Sequence, residues 1–463
     1  MKRVFAAALA ILLVFGGTAH AGRIVITTSD YGSGNTAVYE TETGTFNPNI
    51  MGRMDQDGIV ETDGEWLYFL DRSLGAVSKY DPQAVLSQGL AYQYSVGASS
   101  NPCDIVFAGE KAYVVRYLST EVLVVDPHAT TQSAYELGTI DLSAFDSSGT
   151  PEAIHGFLFG GYLYVVLQRL DNLAAVQSGH VVAIDTATDT VVDLVPSLDG
   201  VQGIDLLVKN PQYFSMVGDT AYIGGHVWGE QTEGVQALDL ADPAFSQRMI
   251  LSEESLMMDI TGMQVFSPRQ GIVYSSSWVQ NSEGGWVQRG TAYWFNPETG
   301  VLGDTLPVPT PDGGAVMLGS TLYIGSRDDT SAGVYIIDAI TNMPAGEPLM
   351  TTLPPLSMVY IGEEIPVAVE KEYILPEAFS VDSPSPNPFN PATTVSFTLA
   401  ESRNVRAEVF NISGQQVATL INGPCPAGHN TLVWQADGAA AGVYHIRIIA
   451  GASARTVKAT LVK

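Results

Sequence analysis

One unit recurs through most of this 463-residue chain and restricts what it can fold into. In 319–342, GSTLYIGSRDDTSAGVYIIDAITN, a short apolar strand around Leu322, Tyr323 and Ile324 is followed by a polar loop. A second apolar strand then ends in Asp338 and a turn. First strands of this kind centre on 24–26, 67–69, 112–115, 162–166, 221–224, 272–275 and 322–325. Second strands close on 37–44, 77–83, 122–128, 181–189, 235–243, 292–300 and 334–342. Tyr68, Tyr113, Tyr164, Tyr222, Tyr274 and Tyr323 mark the register, at spacings of 45, 51, 58, 52 and 49.

Periods of roughly 40 to 60 residues that contain strands and no helical pattern describe the blades of a β-propeller. A third strand follows each Asp turn, as in 91–97 and 248–254. Another precedes each Tyr strand and often opens with Pro, as in 101–109, 150–160, 210–218 and 310–319. Pro cannot donate to a ladder and belongs at the first residue of a strand. Each period is therefore a four-stranded antiparallel sheet. The first copy has no upstream strand, while an orphan strand at 353–362 follows the seventh; we expect it to supply the first blade's inner strand and close the ring. In repeat pattern, 22–362 resembles the YVTN/NHL-like seven-bladed propellers, a resemblance that transfers no active site.

The two ends of the chain point to export. Lys2 and Arg3, an apolar run over 4–15 and Ala19-His20-Ala21 make 1–21 a secretory signal peptide, with cleavage expected before Gly22. The apolar run is too short to span a membrane, and no other stretch reaches about 18 apolar residues, so no transmembrane span is expected in the mature chain. Residues 363–384 read as a charged, Pro-punctuated linker.

From 385 a second module begins. VSFTL, RAEVF, TLVW, VYHIRI and VKATLV alternate apolar and polar residues, as half-buried strands do, which gives a small β-sandwich. The NPFNP at 387–391, VFNISGQQVATL at 409–420, the turn at 427–429 with Trp434, GVYHIRI at 442–448 and the final strand ending in Lys463 follow a family order. This module resembles the C-terminal sorting domain of type IX secretion cargo and the related Ig-like domain of flagellar hook-capping proteins. The resemblance implies that outer-membrane secretion machinery is a partner and that the protein passes through the periplasm to the bacterial surface or medium. It also implies that Asn387, Pro388, Phe389, Gly414, Gly442, Tyr444 and Lys463 are sorting and fold residues. The fold expected is thus all-β, a seven-bladed β-propeller followed by a small Ig-like β-sandwich.

Formal net charge is −28. Both ends are slightly basic, which leaves the segment between them at about −32. Such a field disfavours nucleic acid and anionic lipid. Cys103 and Cys425 fall in different modules and are not expected to pair. There is no nucleophile elbow, zinc-protease, phosphate-loop or EF-hand motif.

Register nonetheless assembles a candidate ligand site. Positions shortly after each repeat Tyr should meet the starts of the inner strands at one mouth of the channel. They carry Arg72, Arg116, Arg169, His226, Trp278 and Arg327, opposite Asp57, Asp104, Glu152, Asp259 and Asp312, with His155 and Trp228 nearby. Arg and Trp suit a glycan or peptide ligand. No metal or other cofactor is assigned; Ca²⁺ is the one ion such carboxylates would suit. Alternatively, the Arg and Asp neutralise one another between blades, or mouth carboxylates and His226 serve a hydrolase or lyase. A purely structural surface role is the third alternative. The segment 280–290 reads as a Gly-rich loop carrying Trp286.

Overall fold

The computed structural model describes residues 22–54, 56–84, 89–280, 286–363, 379–381, 383–399, 403–411, 415–425, 428–450 and 453–462. The signal peptide, Gly414 and Lys463 lie outside these. Two compact units are present, Met1–Glu372 and Tyr373–Lys463.

In the first unit the repeat becomes seven antiparallel sheets among the described residues. In the last of them Thr321–Ser326 pairs with Gly333–Asp338, setting Tyr323 opposite Ile336. Its inner strand is Pro311–Leu318. The other inner strands are Ile59–Thr62, Pro102–Ala108, Ala153–Phe159, Pro211–Val217, Gly262–Ser267 and Pro355–Ile361. Four of the seven begin with Pro, where a missing N–H breaks no ladder bond. Pro355–Ile361 pairs antiparallel with Arg23–Ser29, Val359 opposite Val25, so the strand after the last repeat completes the first sheet. Each inner strand touches the next in sequence, and Pro355–Ile361 touches both Pro311–Leu318 and Ile59–Thr62. The inner strands therefore form a closed ring with a sheet extending from each, which is β-propeller topology.

The apolar residues of the repeat are buried between successive sheets. Tyr68, Leu70 and Val77 pack on Val114, Leu123 and Tyr135 of the following sheet. Ile24 and Ile26 of the first sheet pack on Tyr323 and Val334 of the last. Full burial of such a side chain contributes about 1.5–3 kcal/mol, and no sheet reaches that burial without its neighbours.

The recurrent Asp has a local task. The Asp185 carboxylate accepts the N–H groups of Ala187 and Thr188, and Asp338 accepts those of Ile340 and Thr341. Asn296 does the same toward Glu298 and Thr299. These are Asx turns, which need only an acceptor oxygen, so Asn serves as well as Asp. At the other turn, Gly109, Gly160, Gly218 and Gly319 all hold φ near +60° (66, 59, 61 and 60°), and the first three have open space where a Cβ would stand. Backbone conformation, not crowding, requires glycine there.

The 280–290 stretch departs from the sequence reading. Strands Gln270–Gln280 and Trp286–Asn296 stay paired out to Gln280 opposite Trp286, so 286–290, read as loop, continue the ladder.

The second unit holds one three-stranded and one four-stranded antiparallel sheet. Val395, Phe397 and Trp434 of one share a core with Val405, Ile446 and Ile448 of the other, which is a β-sandwich. Three residues of the stretch read as linker, Phe379–Val381, pair with Phe397–Leu399. The linker reading fails there because an edge position asks for little alternation, so the strand left no pattern to see.

Candidate ligand site

The inner strands enclose a cavity of about 350 Å³. Every inner strand contributes to its wall, from Glu61 on the second sheet to Ser357 on the strand that completes the first. Ile59 and Glu61, two apart on one strand, both line it, as strand alternation requires, and Asp57 from the preceding turn joins them. Arg72, His155 and Gln212 add polar groups, and Met263 and Met358 supply apolar wall.

Two carboxylates set the electrostatics. Burial, reinforced by the Asp104 charge, holds Glu61 well above the ordinary carboxylate range. Glu61 keeps some contact with solvent because it faces the cavity, but protein surrounds it closely enough to strip most of its hydration. Asp104 Oδ2 accepts the Gly156 N–H at 3.0 Å and lies 3.6 Å from His155 Nδ1. His155 Nε2 is 3.0 Å from the Gln212 carbonyl oxygen and so donates to it. That bond turns Nδ1 toward Asp104, where a second proton makes the two an ion pair.

The mouth residues are largely engaged with protein. Arg327 is 8% exposed; its guanidinium donates to the Pro355 and Ser29 carbonyls at 2.6 and 3.0 Å and lies over the Tyr31 ring. Arg116, equally buried, donates to the carbonyls of Val96 and Glu121. Arg72 bridges Asp57 at 2.7 Å and Asn101 at 2.6 Å. Arg169 donates to Asp205 and Gln177. Glu152 accepts the Leu170 N–H, and Asp312 that of Gly313. Trp278 sits on the extended hairpin opposite Gln288. Trp228 is 62% exposed and stands edge-to-face on His226, ring centroids 4.8 Å apart. His226 itself is buried, Nδ1 2.8 Å from Glu253 Oε1. The structure therefore brings Arg72 and His155 to the cavity wall, sets Asp104 behind His155, and spends most of the arginines on joining neighbouring segments.

Sequence reasoning missed Glu61 and Glu253. The i, i+2, i+4 spacing of Asp57, Ile59 and Glu61 was the available signal for the first. Glu253 lies in a four-residue helix, Glu253–Leu256, outside the repeat register, and carries no comparable signal.

The sorting motif forms a latch. The Asn387 amide donates to the Lys458 carbonyl and accepts the Thr460 N–H, both at 2.8 Å. Phe389 exchanges backbone bonds with Thr460 and Val462. Its ring is 2% exposed and packs on Trp434, which packs on Tyr444. Gly442 opens the strand Gly442–Ala450 opposite Leu461. Family comparison matches this stretch. Residues 385–463 are a secretion system C-terminal sorting domain. The sorting domain directs export to the bacterial cell surface or beyond, and so implies contact with the secretion machinery. Among the described residues no helix is long and apolar enough to cross a membrane.

Compared with the curated proteins, the sequence matches none. Solved structures similar to it include the periplasmic gluconolactonase PpgL of Pseudomonas aeruginosa, at 12% identity and TM-score 0.46, covering 74% of this chain and 99% of that one. AztD of Citrobacter koseri is similar at 12% identity and TM-score 0.45, covering 74% and 98%. Hydrazine synthase of Kuenenia stuttgartiensis is similar at 18% and 0.44, covering 65% and 85%. At these levels the fold rests on the strand topology described above.

Proposed function

We propose that this exported β-propeller, read as a ring of seven blades, binds a small ligand bearing a protonated amine, such as an amino sugar or a lysine side chain, in its central cavity. The observation that carries the reading is Glu61 on the wall of a cavity that every inner strand lines, close enough to Asp104 for that charge to raise its pKa further. An ammonium group placed between the two carboxylates would offset their repulsion and favour the ionised form of Glu61. The strongly acidic segment around the cavity would raise the local concentration of cations. Gln212, Gln264 and Ser357 offer hydrogen bonds to a hydroxylated body.

Calorimetry on the full chain with glucosamine and with a lysine-containing peptide tests this, N-acetylglucosamine and an acetylated peptide serving as neutral controls. Binding should require the free amine. Glu61→Gln and Asp104→Asn should each weaken it about tenfold, the loss of one charge-assisted hydrogen bond. Equal binding of the acetylated compounds, or indifference to both substitutions, would sink the reading.

A second reading is favoured by the same pair. Glu61, whose pKa is raised, beside the second carboxylate of Asp104 offers the two groups of an acid/base couple, as a glycan hydrolase or lyase needs. It predicts turnover of a glycan substrate that Glu61→Gln abolishes.

A further inference from the structure

We propose that a cleft between the fifth sheet, which contains Thr220–Gly225, and the sixth, which contains Gln270–Gln280, is a second binding site, for a neutral polyhydroxylated ligand such as a hexose unit of a glycan. The cleft holds about 500 Å³ and shares no residue with the central cavity. Thr220 lines it at the start of its strand, whereas His226 and Arg327 follow the far ends of the equivalent strands, so it opens on the face away from the mouth residues.

The repeat shows why space is left here. Between the third and fourth sheets the equivalent position is filled. The Tyr113 hydroxyl donates to Asp189 Oδ1 at 2.6 Å, and Lys111 Nζ lies 2.6 Å from the same oxygen. Tyr222 is the repeat tyrosine of the fifth sheet, and Thr220 stands two residues before it, where Lys111 stands before Tyr113. The turn that carries Asp189 has its counterpart as well. The Asp189 N–H bonds the Asp185 carbonyl at 2.8 Å with φ 55°, and the Gly300 N–H bonds the Asn296 carbonyl at 2.8 Å with φ 71°. A Cβ on Gly300 would stand 2.2 Å from the Ile250 carbonyl oxygen, so no side chain can take the place of Asp189. Without the lysine and the aspartate, Tyr222 faces open volume.

Tyr222 is 4% exposed, and its hydroxyl makes no hydrogen bond among the described residues. Burial raises the phenol above its ordinary value; Arg248 acts in the opposite direction, and Glu298 and Asp219 add to the rise. All three charged residues line the cleft, which sets the hydroxyl on its inner wall. A hydroxyl so enclosed is met by few waters, and a ligand group that reproduces their bonds can replace them.

The wall selects the class of ligand. Arg248 has one guanidinium nitrogen on the Pro297 carbonyl, at 3.1 Å, and can donate again. Asp219 accepts, while Thr220 and Tyr222 both donate and accept. An ammonium ligand would meet Arg248, and a carboxylate would meet Asp219 and Glu298. Sugar hydroxyls donate and accept at once without charge and so satisfy both sets of groups. The volume lies within the range of small-molecule sites, about 300–1,000 Å³.

The test is saturation-transfer NMR and calorimetry on the full chain with glucose, galactose, mannose, maltotriose and glucuronate. A neutral sugar should bind saturably, with glucuronate at least about tenfold weaker; the monosaccharides against maltotriose separate a free sugar from a glycan chain as the source. Tyr222→Phe removes the hydroxyl alone and should weaken binding about fivefold, and Arg248→Gln, at an exposed position, about tenfold. Tyr113→Phe, beside the filled position, should leave binding unchanged. Tyr222→Phe is interpreted only where its circular dichroism is native, and Arg248→Gln decides otherwise. No saturable binding of any neutral sugar, a preference for glucuronate, or affinity untouched by both substitutions would overturn the proposal. Glu61→Gln should leave neutral-sugar binding intact, and Tyr222→Phe the difference between free and acetylated amines, so the two sites fail or stand separately.

Discussion

Arg327 Nη1 lies 2.6 Å from the carbonyl oxygen of Pro355, and the same guanidinium reaches the Ser29 carbonyl at 3.0 Å. One side chain from the last repeat thus holds both strands that complete the first sheet, one from each end of the unit. Removing it leaves two buried carbonyls without their donor. Arg327→Ala should cost about 3 kcal/mol, as expected for buried hydrogen bonds to a charged group. Arg327→Lys should recover only part of this, since a single ammonium cannot span both carbonyls. Urea unfolding of the two variants measures it, and a loss under about 0.5 kcal/mol for the alanine would contradict the closing role.

Glu61 gives a pH signature. Its folded-state pKa is raised, so the folded protein holds the proton more tightly than the unfolded chain does. This favourable contribution is complete below the ordinary value of about 4.5 and is lost as pH rises through the folded value. Glu61→Gln removes the cost, at neutral pH, of either holding that proton or burying the charge. The variant should therefore melt higher than wild type at pH 7, with the gap closing near pH 4. A lower melting temperature at pH 7 would show that the carboxylate is compensated.

The Asx turns predict a chemical distinction at one position. Asp185→Asn keeps the acceptor oxygen and should leave stability within about 0.5 kcal/mol of wild type. Asp185→Ala strands the N–H groups of Ala187 and Thr188 and should cost about 1 kcal/mol, like the loss of a helix cap. Equal losses in the two variants would argue that charge, not the turn, is what this residue supplies.

Both cysteines are buried and unpaired. Burial pushes the Cys103 thiol up to about 12 and raises Cys425 as well. Neither should react with iodoacetamide at pH 8 until the protein is unfolded, because only the thiolate attacks. Mass spectrometry of native and denatured samples reads the difference directly.

In the sorting domain, Phe389→Ala should cost 3–5 kcal/mol locally, roughly the loss of a buried aromatic ring. Asn387→Ala releases the two bonds that hold the segment 387–389 to the last strand. Both variants should accumulate inside the cell in a secretion assay, as should a chain lacking 385–463. Normal appearance of the truncated chain in the medium would remove the sorting role.

The repeat, the blade-like sheets, the pairing of 353–362 with the first strand and the sorting module were all legible in the sequence. Each rests on local alternation, turn chemistry or a period that one chain displays along its length. Asp104 and His155 could be placed near the channel by register alone. Pairing of arginine with aspartate, as at Arg72 and Arg169, was one of the readings open in the sequence, but what Arg116 and Arg327 do was not legible. Arg116 and Arg327 look like ligands in a one-dimensional register, and only the packed sheets show that carbonyls from other segments claim them. Glu61 and Glu253 were missed for the opposite reason: an acid is ordinary in sequence and becomes unusual only when other segments close around it. Local periodicity determines which residues form strands and which face of each is apolar. Burial, and with it the ionisation and partners of every polar group in the cavity and around His226, depends on atoms far away in sequence, so only the tertiary structure decides it.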